Sequence, residues 1–422
     1  MTQLIVRHVD GIVGTIDHAG SGRAGHTATF TYSEQWRSRP ESTPLSVSMP
    51  TTARRHSQAL IEPFLWNLLP DNDRVLTRWA RQFAVTTTHP YGLIEAVGED
   101  LPGAMTIAAA DTADGPTDAV EWLTTDDVAD LLSAVRADSS AWIATDSTGQ
   151  WSLAGAQPKI ALLHDEARGW GRPSGSIPTT HILKPAVAGL DDHDLNEHLC
   201  LDAARRLGFV AAASQVANLG AERAIVVQRY DRVGTTRLHQ EDLCQALGVH
   251  PESKYQNEGG PSAADIAALF RRIMKSGLAV DTTKRFIDAL LYNWLIGGSD
   301  AHAKNYSLLL QGDAVRLAPL YDVASALPYS DTHIPKIKSA MKIGSHYKIS
   351  SIRRHSWEQL AADTGADPEW IIERGRELAN GVVHAFHDAA DHPSVKALAG
   401  PLTAKLLQTI ETHAMSCEKQ LA

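Results

Sequence analysis

The chain has 422 residues, 43% hydrophobic and 21% charged, an ordinary globular composition and enough to bury a sizeable core in two or three domains. Its 39 Lys+Arg against 49 Asp+Glu give a net charge of -10, which argues against broad, nonspecific nucleic-acid binding by the chain alone. Cys200, Cys244 and Cys417 are scattered without a C-x-x-C pair, and neither a signal-peptide pattern nor an apolar run of about 18 residues is visible, so a reducing cytoplasm and no membrane span are expected.

In chain order, Leu4–Ile16 reads as two strands turned at Asp10-Gly11, and Thr27–Tyr32 as a third. Pro44–Pro50 (P-L-S-V-S-M-P) reads as an extended segment. A helix end and turn fall at Pro70-Asp71-Asn72, a helix at Val75–Phe83, and a strand at Leu101–Ile107. Residues 1–108 thus form a small mixed unit with no clustered catalytic groups. Ala110–Ala119 is a linker by composition, and Thr124-x-x-Asp127 opens a helix with a capping box.

The stretch Trp151–Leu163 carries Ala154, Gly155 and Ala156, small residues that let backbone amides approach a ligand, then Gln157 and Lys159. It is neither G-x-G-x-x-G nor a Walker motif, and a tight hairpin is the plainer reading. Thr180–Pro185 reads as a strand with Lys184 near its end. Asp194 and Glu197 open the next helix, either as a simple capping box or with Glu197 pairing Lys184 across the fold. Ala224–Asp231 is an apolar strand ending in a polar tetrad, where a kinase has its adenine-binding hinge: Gln228, Arg229 and Tyr230.

Beyond residue 231 the chain turns helical. Ser262-x-x-Asp265 caps one helix closing at Gly277, and Asp281 caps another running to Trp294. Asp367-Pro368 starts a helix to about Asp391, and Pro401–Leu421 forms the last. Strands first and helices after predict an α+β, two-lobed kinase-like fold, with units at 1–108, 120–231 and 232–422.

Asp300 and Asn305 stand at the D-x-x-x-x-N spacing of a kinase catalytic loop. A hairpin follows, with strands at Tyr306–Leu310 and Ala314–Leu320, and it delivers Asp322. Phosphoryl transfer needs charge neutralised and groups aligned rather than covalent help. One carboxylate accepts the hydroxyl proton; an amide oxygen and a second carboxylate suit Mg²⁺, a hard ion that takes the rest of its ligands from phosphate and water. Asp300 is then the base, Asn305 and Asp322 the magnesium ligands, and His302 and Lys304 phosphate contacts. The spacing alone also occurs by chance in turns. A metal site on Asp300-x-His302, helped by the run Asp191–Asp194, is a further alternative that no H-E-x-x-H or Cys pair supports.

Several stretches resemble one known family, the HipA toxin kinases: S-L-A-G-A-Q-P-K (152–159), H-I-L-K-P, V-V-Q-R-Y-D-R, R-L-H-Q-E-D-L-C-Q-A-L-G-V (237–249), K-Y-Q-N-E-G-G-P (254–261), I-G-G-S-D-A-H-A-K-N-Y-S and L-A-P-L-Y-D-V-A-S-A. P-L-S-V-S-M-P, N-L-L-P-D-N and G-E-D-L-P-G-A-M are similar to the family's N-terminal domain, so the likeness covers nearly the whole chain in order. It implies an ATP- and Mg²⁺-dependent serine/threonine kinase. By the same resemblance Asp300, His302, Lys304, Asn305 and Asp322 would be its catalytic residues. Nucleotide contacts fall on Ala154 to Gln157, Lys159, Lys184, Gln228 to Tyr230, Gln240 and Tyr321, with His302, Asn305 and Asp322. Ser152 matches the family's autophosphorylated serine, where about two negative charges would repel the ATP phosphates.

The same resemblance implies a HipB-like helix-turn-helix antitoxin as partner, operator DNA reached only through it, and a translation component of the glutamyl-tRNA synthetase type as substrate, with growth arrest as outcome. The chain departs from the family at Gln228, Tyr230 and Pro158, and its 185–196 segment is short. Two rival readings are a small-molecule kinase and a catalytically silent corepressor of a DNA-binding antitoxin. The basic run Lys336, Lys338, Lys342, Lys348, Arg353 and Arg354 suits phosphate, substrate or DNA contact, with a solvated positive face as the plainer reading.

Overall fold

A computed structural model describes residues 2–20, 26–110, 118–142, 151–187, 189–329 and 336–422; residues 111–117 of the expected linker lie outside it. The N-terminal unit is an antiparallel sheet in the order Arg55–Ser57, Thr27–Tyr32, Gly11–Ala19, Thr2–His8, Thr106–Ala109. Alternation turns Leu4, Val6, Ile16, Phe30 and Tyr32 inward, and a register irregularity opposite Val6–Arg7 brings Val13 to the same face, all fully or almost fully buried. Helices Gln58–Asn67, Asp73–Gln82 and Tyr91–Val97 cover that face.

The second sheet runs Ser214–Leu219, Glu222–Gln228, His181–Pro185, Ile160–Asp165, Gly169–Ser174, Ala119–Trp122. Ile160, Leu162, Leu183 and Val226 pack into the same hydrophobic cluster as the N-terminal helices. The N-terminal unit and the second sheet therefore share one core. A second cluster fills the large lobe around helix Ser276–Ile296, which is wrapped by Ala263–Ile273, Arg354–Thr364, Pro368–Ala390 and Pro401–Gln420.

A third, three-stranded sheet joins His239–Asp242, Ser307–Gln311 and Ala314–Leu317. It sets Gln240 opposite Leu309, on the hairpin that leads to Asp322. The arrangement is the α+β, two-lobed kinase-like fold.

Several local expectations fail for identifiable reasons. Asp281 does not cap a helix: one helix runs from Ser276 through it, and Gly277 sits in its first turn, where few interior bonds are at risk. Asp194 and Glu197 do not form a capping box. The helix His193–Arg206 is entered through Asp192 in the left-handed region, and Asp194 is buried against Arg223 instead. Leu101–Met105 is irregular, and the strand begins only at Thr106. Pro44–Pro50 is not extended; it turns back through a Ser46–Met49 bridge and docks on the large lobe. There Val47 N–H donates to Glu241 Oε1 at 2.8 Å and Ser48 Oγ to Gln245 O at 3.1 Å. Burial pushes the Glu241 carboxyl up to about 8, against the Val47 amide that favours its charged form.

Candidate active site

A cleft of about 690 Å³ opens between the two lobes. Ala154, Gly155, Ala156, Gln157, Lys159, Lys184, Gln228, Arg229, Tyr230, Gln240, Asp300, His302, Lys304, Asn305, Tyr321 and Asp322 all line it. Ser152 does not. Its side chain is fully buried beneath the loop, where Oγ donates to Leu68 O at 2.7 Å.

Lys184 is the ionic hub. Strand His181–Pro185 carries it inward, and its Nζ lies 2.8 Å from Glu197 Oε1 and 2.6 Å from Asp322 Oδ1. The pairing of Lys184 with Glu197 is thus the arrangement that holds. Burial alone would lower the lysine, but Asp322 and Glu197 outweigh it and hold the ammonium well above its ordinary range. Burial would likewise raise Asp322, but Lys184 and Lys159 hold that carboxyl well below the usual carboxylate range. Asp322 has φ 56°, a left-handed conformation that a non-glycine residue adopts only where its surroundings impose it.

The loop 297–305, the expected catalytic loop, follows the central helix. Gly297 ends that helix at φ 65°, and Gly298 lies so near Asn293 that a Cβ there would meet Oδ1 at 2.2 Å. Asp300 emerges with 66% of its side chain exposed, and the Tyr255 hydroxyl donates to its Oδ1. Asn305 Nδ2 donates to Asp300 O at 2.7 Å, which commits the amide nitrogen and leaves the oxygen as its acceptor. His302 is buried edge-on against Tyr255, at 4.8 Å between ring centroids. Burial, then Lys254, push it down to about 3, so it is neutral, and its Nδ1 has no hydrogen-bond partner among the described residues. Asp192 and Asp194 are taken by Arg223, so that acidic run does not join His302 in a metal site.

The expected hinge, Gln228 to Tyr230, is more selective in its free amides than its sequence suggests. Gln228 and Arg229 spend their amides on Ala213 O and Thr180 O, both at 2.9 Å. The Arg229 guanidinium turns away into a buried cluster with Asp231, Asp100 and Thr179. Tyr230 is the hinge residue whose backbone N–H has no partner among the described residues. Its hydroxyl donates to Gln240 Oε1 at 2.6 Å and its ring lies 5.4 Å from Tyr321. Tyr321 in turn donates to Lys304 O at 2.6 Å. Lys159 folds back onto its own loop, donating to Ala154 O at 2.6 Å. Burial, then Lys184, lower it to about 8.

Two contributions have no counterpart among the predicted residues. Asp71, from a unit read as showing no clustered catalytic groups, reaches the loop that carries Asp300: its carboxylate bridges Lys304 at 2.5 Å and Lys254 at 2.7 Å. Tyr255 steers Asp300. Both sit in stretches that carry the family resemblance, N-L-L-P-D-N and K-Y-Q-N-E-G-G-P, but no local spacing links them to Asp300. Of the basic run, Arg354 is tied to Glu358 and Glu369, and Lys342 lies over the Tyr347 ring.

The HipA N-terminal domain family matches residues 4–108, and the HipA-like C-terminal domain family matches 151–386. A Sinorhizobium fredii protein named as a candidate kinase, Y4mE, is 31% identical over 392 residues, 90% of this chain and 91% of its own. The serine/threonine-protein kinase toxin HipA of Shewanella oneidensis is 27% identical over 84% of this chain and 82% of its own. Among solved structures, the HipA–HipB–operator DNA complex of Shewanella oneidensis superposes with a TM-score of 0.82, at 24% identity, over 99% of this chain and 97% of that one.

Proposed function

From the premise that the chain belongs to the HipA family, we propose that its cleft binds ATP with Mg²⁺ and transfers the γ-phosphate to a serine or threonine hydroxyl of a protein. The observation that carries this is the convergence of Lys184, Glu197 and Asp322 with Asp300 and Asn305 in one cleft. Asp300, the carboxylate open to solvent, accepts the proton of the attacking hydroxyl, and Tyr255 fixes its direction. Lys184 holds the α and β phosphates, and the Tyr230 backbone meets the adenine edge. The oxygen donors of Asn305 and Asp322 fit a hard cation: both are half-buried at the cleft wall, and Lys184 engages only one Asp322 oxygen. A bound Mg²⁺ would neutralise phosphate charge there.

Ser152 is the proposed autophosphorylation site. Its burial means the loop must leave its seat before that hydroxyl can react, and the added charge would keep it out. A HipB-like antitoxin, with operator DNA reached through it, and a translation-component substrate complete the reading. Mass spectrometry of the purified chain with and without Mg-ATP, beside Asp322→Ala, tests it. One phosphate on Ser152 in the wild type and none in the variant is expected. No phosphate on the chain or on any lysate protein would overturn it.

A further inference from the structure

We propose that Asp71 is a positioning residue that ties the phosphate loop to the catalytic loop, so that the N-terminal unit completes the kinase site. This deepens the kinase reading and rests on it. The residue stands just past helix Gln58–Asn67, in the turn Pro70-Asp71-Asn72. Its backbone grips one wall of the cleft: Asp71 N–H donates to Gly155 O at 3.0 Å, and Pro70 forms a β-bridge with Gly155. Its side chain, 9% exposed, grips the other wall through Lys304 and Lys254. Lys304 precedes Asn305. Lys254 precedes Tyr255, which donates to Asp300. One residue therefore holds both sides of the phosphate region.

Charge gives the tie its consequence. Lys304 is 3% exposed and Lys254 15% exposed, in a cleft that also holds Lys159 and Lys184. Without the Asp71 carboxylate two nearly buried ammonium groups lose their partner, and buried charges do not stay unpaired. Their next carboxylates are Asp242, which interacts with Lys304, and Asp300, which interacts with Lys254. A Lys254 drawn to Asp300 would compete with the incoming hydroxyl for the base. The loop keeps its other anchors, Ser152 to Leu68 O and Lys159 to Ala154 O, so it loosens without leaving its seat and nucleotide affinity would change little.

The test compares full-length wild type, the isosteric Asp71→Asn, Lys304→Met and the double variant. Without nucleotide, hydrogen exchange at residues 153–157 and 299–305 should quicken about ten-fold in Asp71→Asn. The Kd for Mg-free ATP should stay within about three-fold while kcat for phosphotransfer falls at least about ten-fold. Lys304→Met should cost no more on top of Asp71→Asn than alone. Unchanged exchange in either segment overturns the tie, whatever the activity. Faster exchange with an unchanged kcat overturns its catalytic consequence. If exchange quickens as expected but the wild type transfers no phosphate, the tie stands and the kinase reading falls.

Discussion

Replacing Lys184 by Met tests the ionic hub directly. The variant removes the ammonium from between Glu197 and Asp322 but keeps an unbranched chain of similar length. Asp322 is 34% exposed on its side chain and rehydrates. Glu197 is 2% exposed, and among the described residues its Oε2 has no partner even in the wild type. Breaking a buried pair from one side leaves an uncompensated charge, at about 3–5 kcal/mol. At roughly 2–4 °C per kcal/mol for a unit of this size, the Tm should fall by about 6–20 °C at pH 7. Phosphotransfer should drop by about 10²–10³-fold, as expected when one preorganised electrostatic group is lost. The check is a thermal melt with Glu197→Gln and the double variant alongside. The double variant should recover most of the lost stability, because a neutral amide tolerates what a carboxylate does not. A Lys184→Met melt within about 1 °C of wild type, or a double variant worse than the sum of the singles, would refute the reasoning.

Four other outcomes follow from the same geometry. Lys159 sits at about 8, below its ordinary value, so phosphate binding should raise it and take up a proton; calorimetry at pH 8.5 in buffers of different ionisation heat should detect about half a proton or more per ATP. Burial would raise Asp71 and Asp231, but their lysine and arginine partners hold both at about 2. Their stabilisation is therefore complete above the unfolded carboxylate value near 4 and lost as pH falls toward 2, and circular dichroism should place acid unfolding in that window. Asp100→Asn breaks a buried cluster with Arg229, Arg232 and Arg237, and should cost about 3–5 kcal/mol, read by a thermal melt and by proteolysis between the N-terminal unit and the hinge. Ser152→Asp should unseat the phosphate loop and weaken ATP binding at least about ten-fold, whereas Ser152→Ala forfeits only one hydrogen bond, about 1 kcal/mol, and should bind ATP normally.

Much of the fold is local and was legible. The capping boxes at Thr124 and Ser262, the Pro at Asp367-Pro368, and the alternation of Thr27–Tyr32 are decided within a few residues, and the structure keeps all four. The hairpin to Asp322 was legible because a short apolar pair around Gly312 admits few other conformations. Where local signals competed with tertiary ones, tertiary contacts won. Asp194 is an adequate capping residue, yet it serves Arg223, because a salt bridge 29 positions away satisfies its buried carboxylate better than a cap would.

The site divides the same way. Asp300, Asn305, Lys184 and Asp322 could be put forward as candidates from residue type, order and spacing, but the same spacing occurs by chance in turns, and it is the family resemblance that implies their kinase roles. Which partner each group takes depends on distances across the chain. Lys184 meets Asp322 from 138 positions away and Lys304 meets Asp71 from 233. The amides of Gln228 and Arg229, which look available, are already bonded to Ala213 and Thr180, just before the neighbouring strands. No pattern within a window of sequence encodes those separations. They arise only when two hydrophobic cores close the lobes around the cleft and bring buried charges to the partners that burial requires.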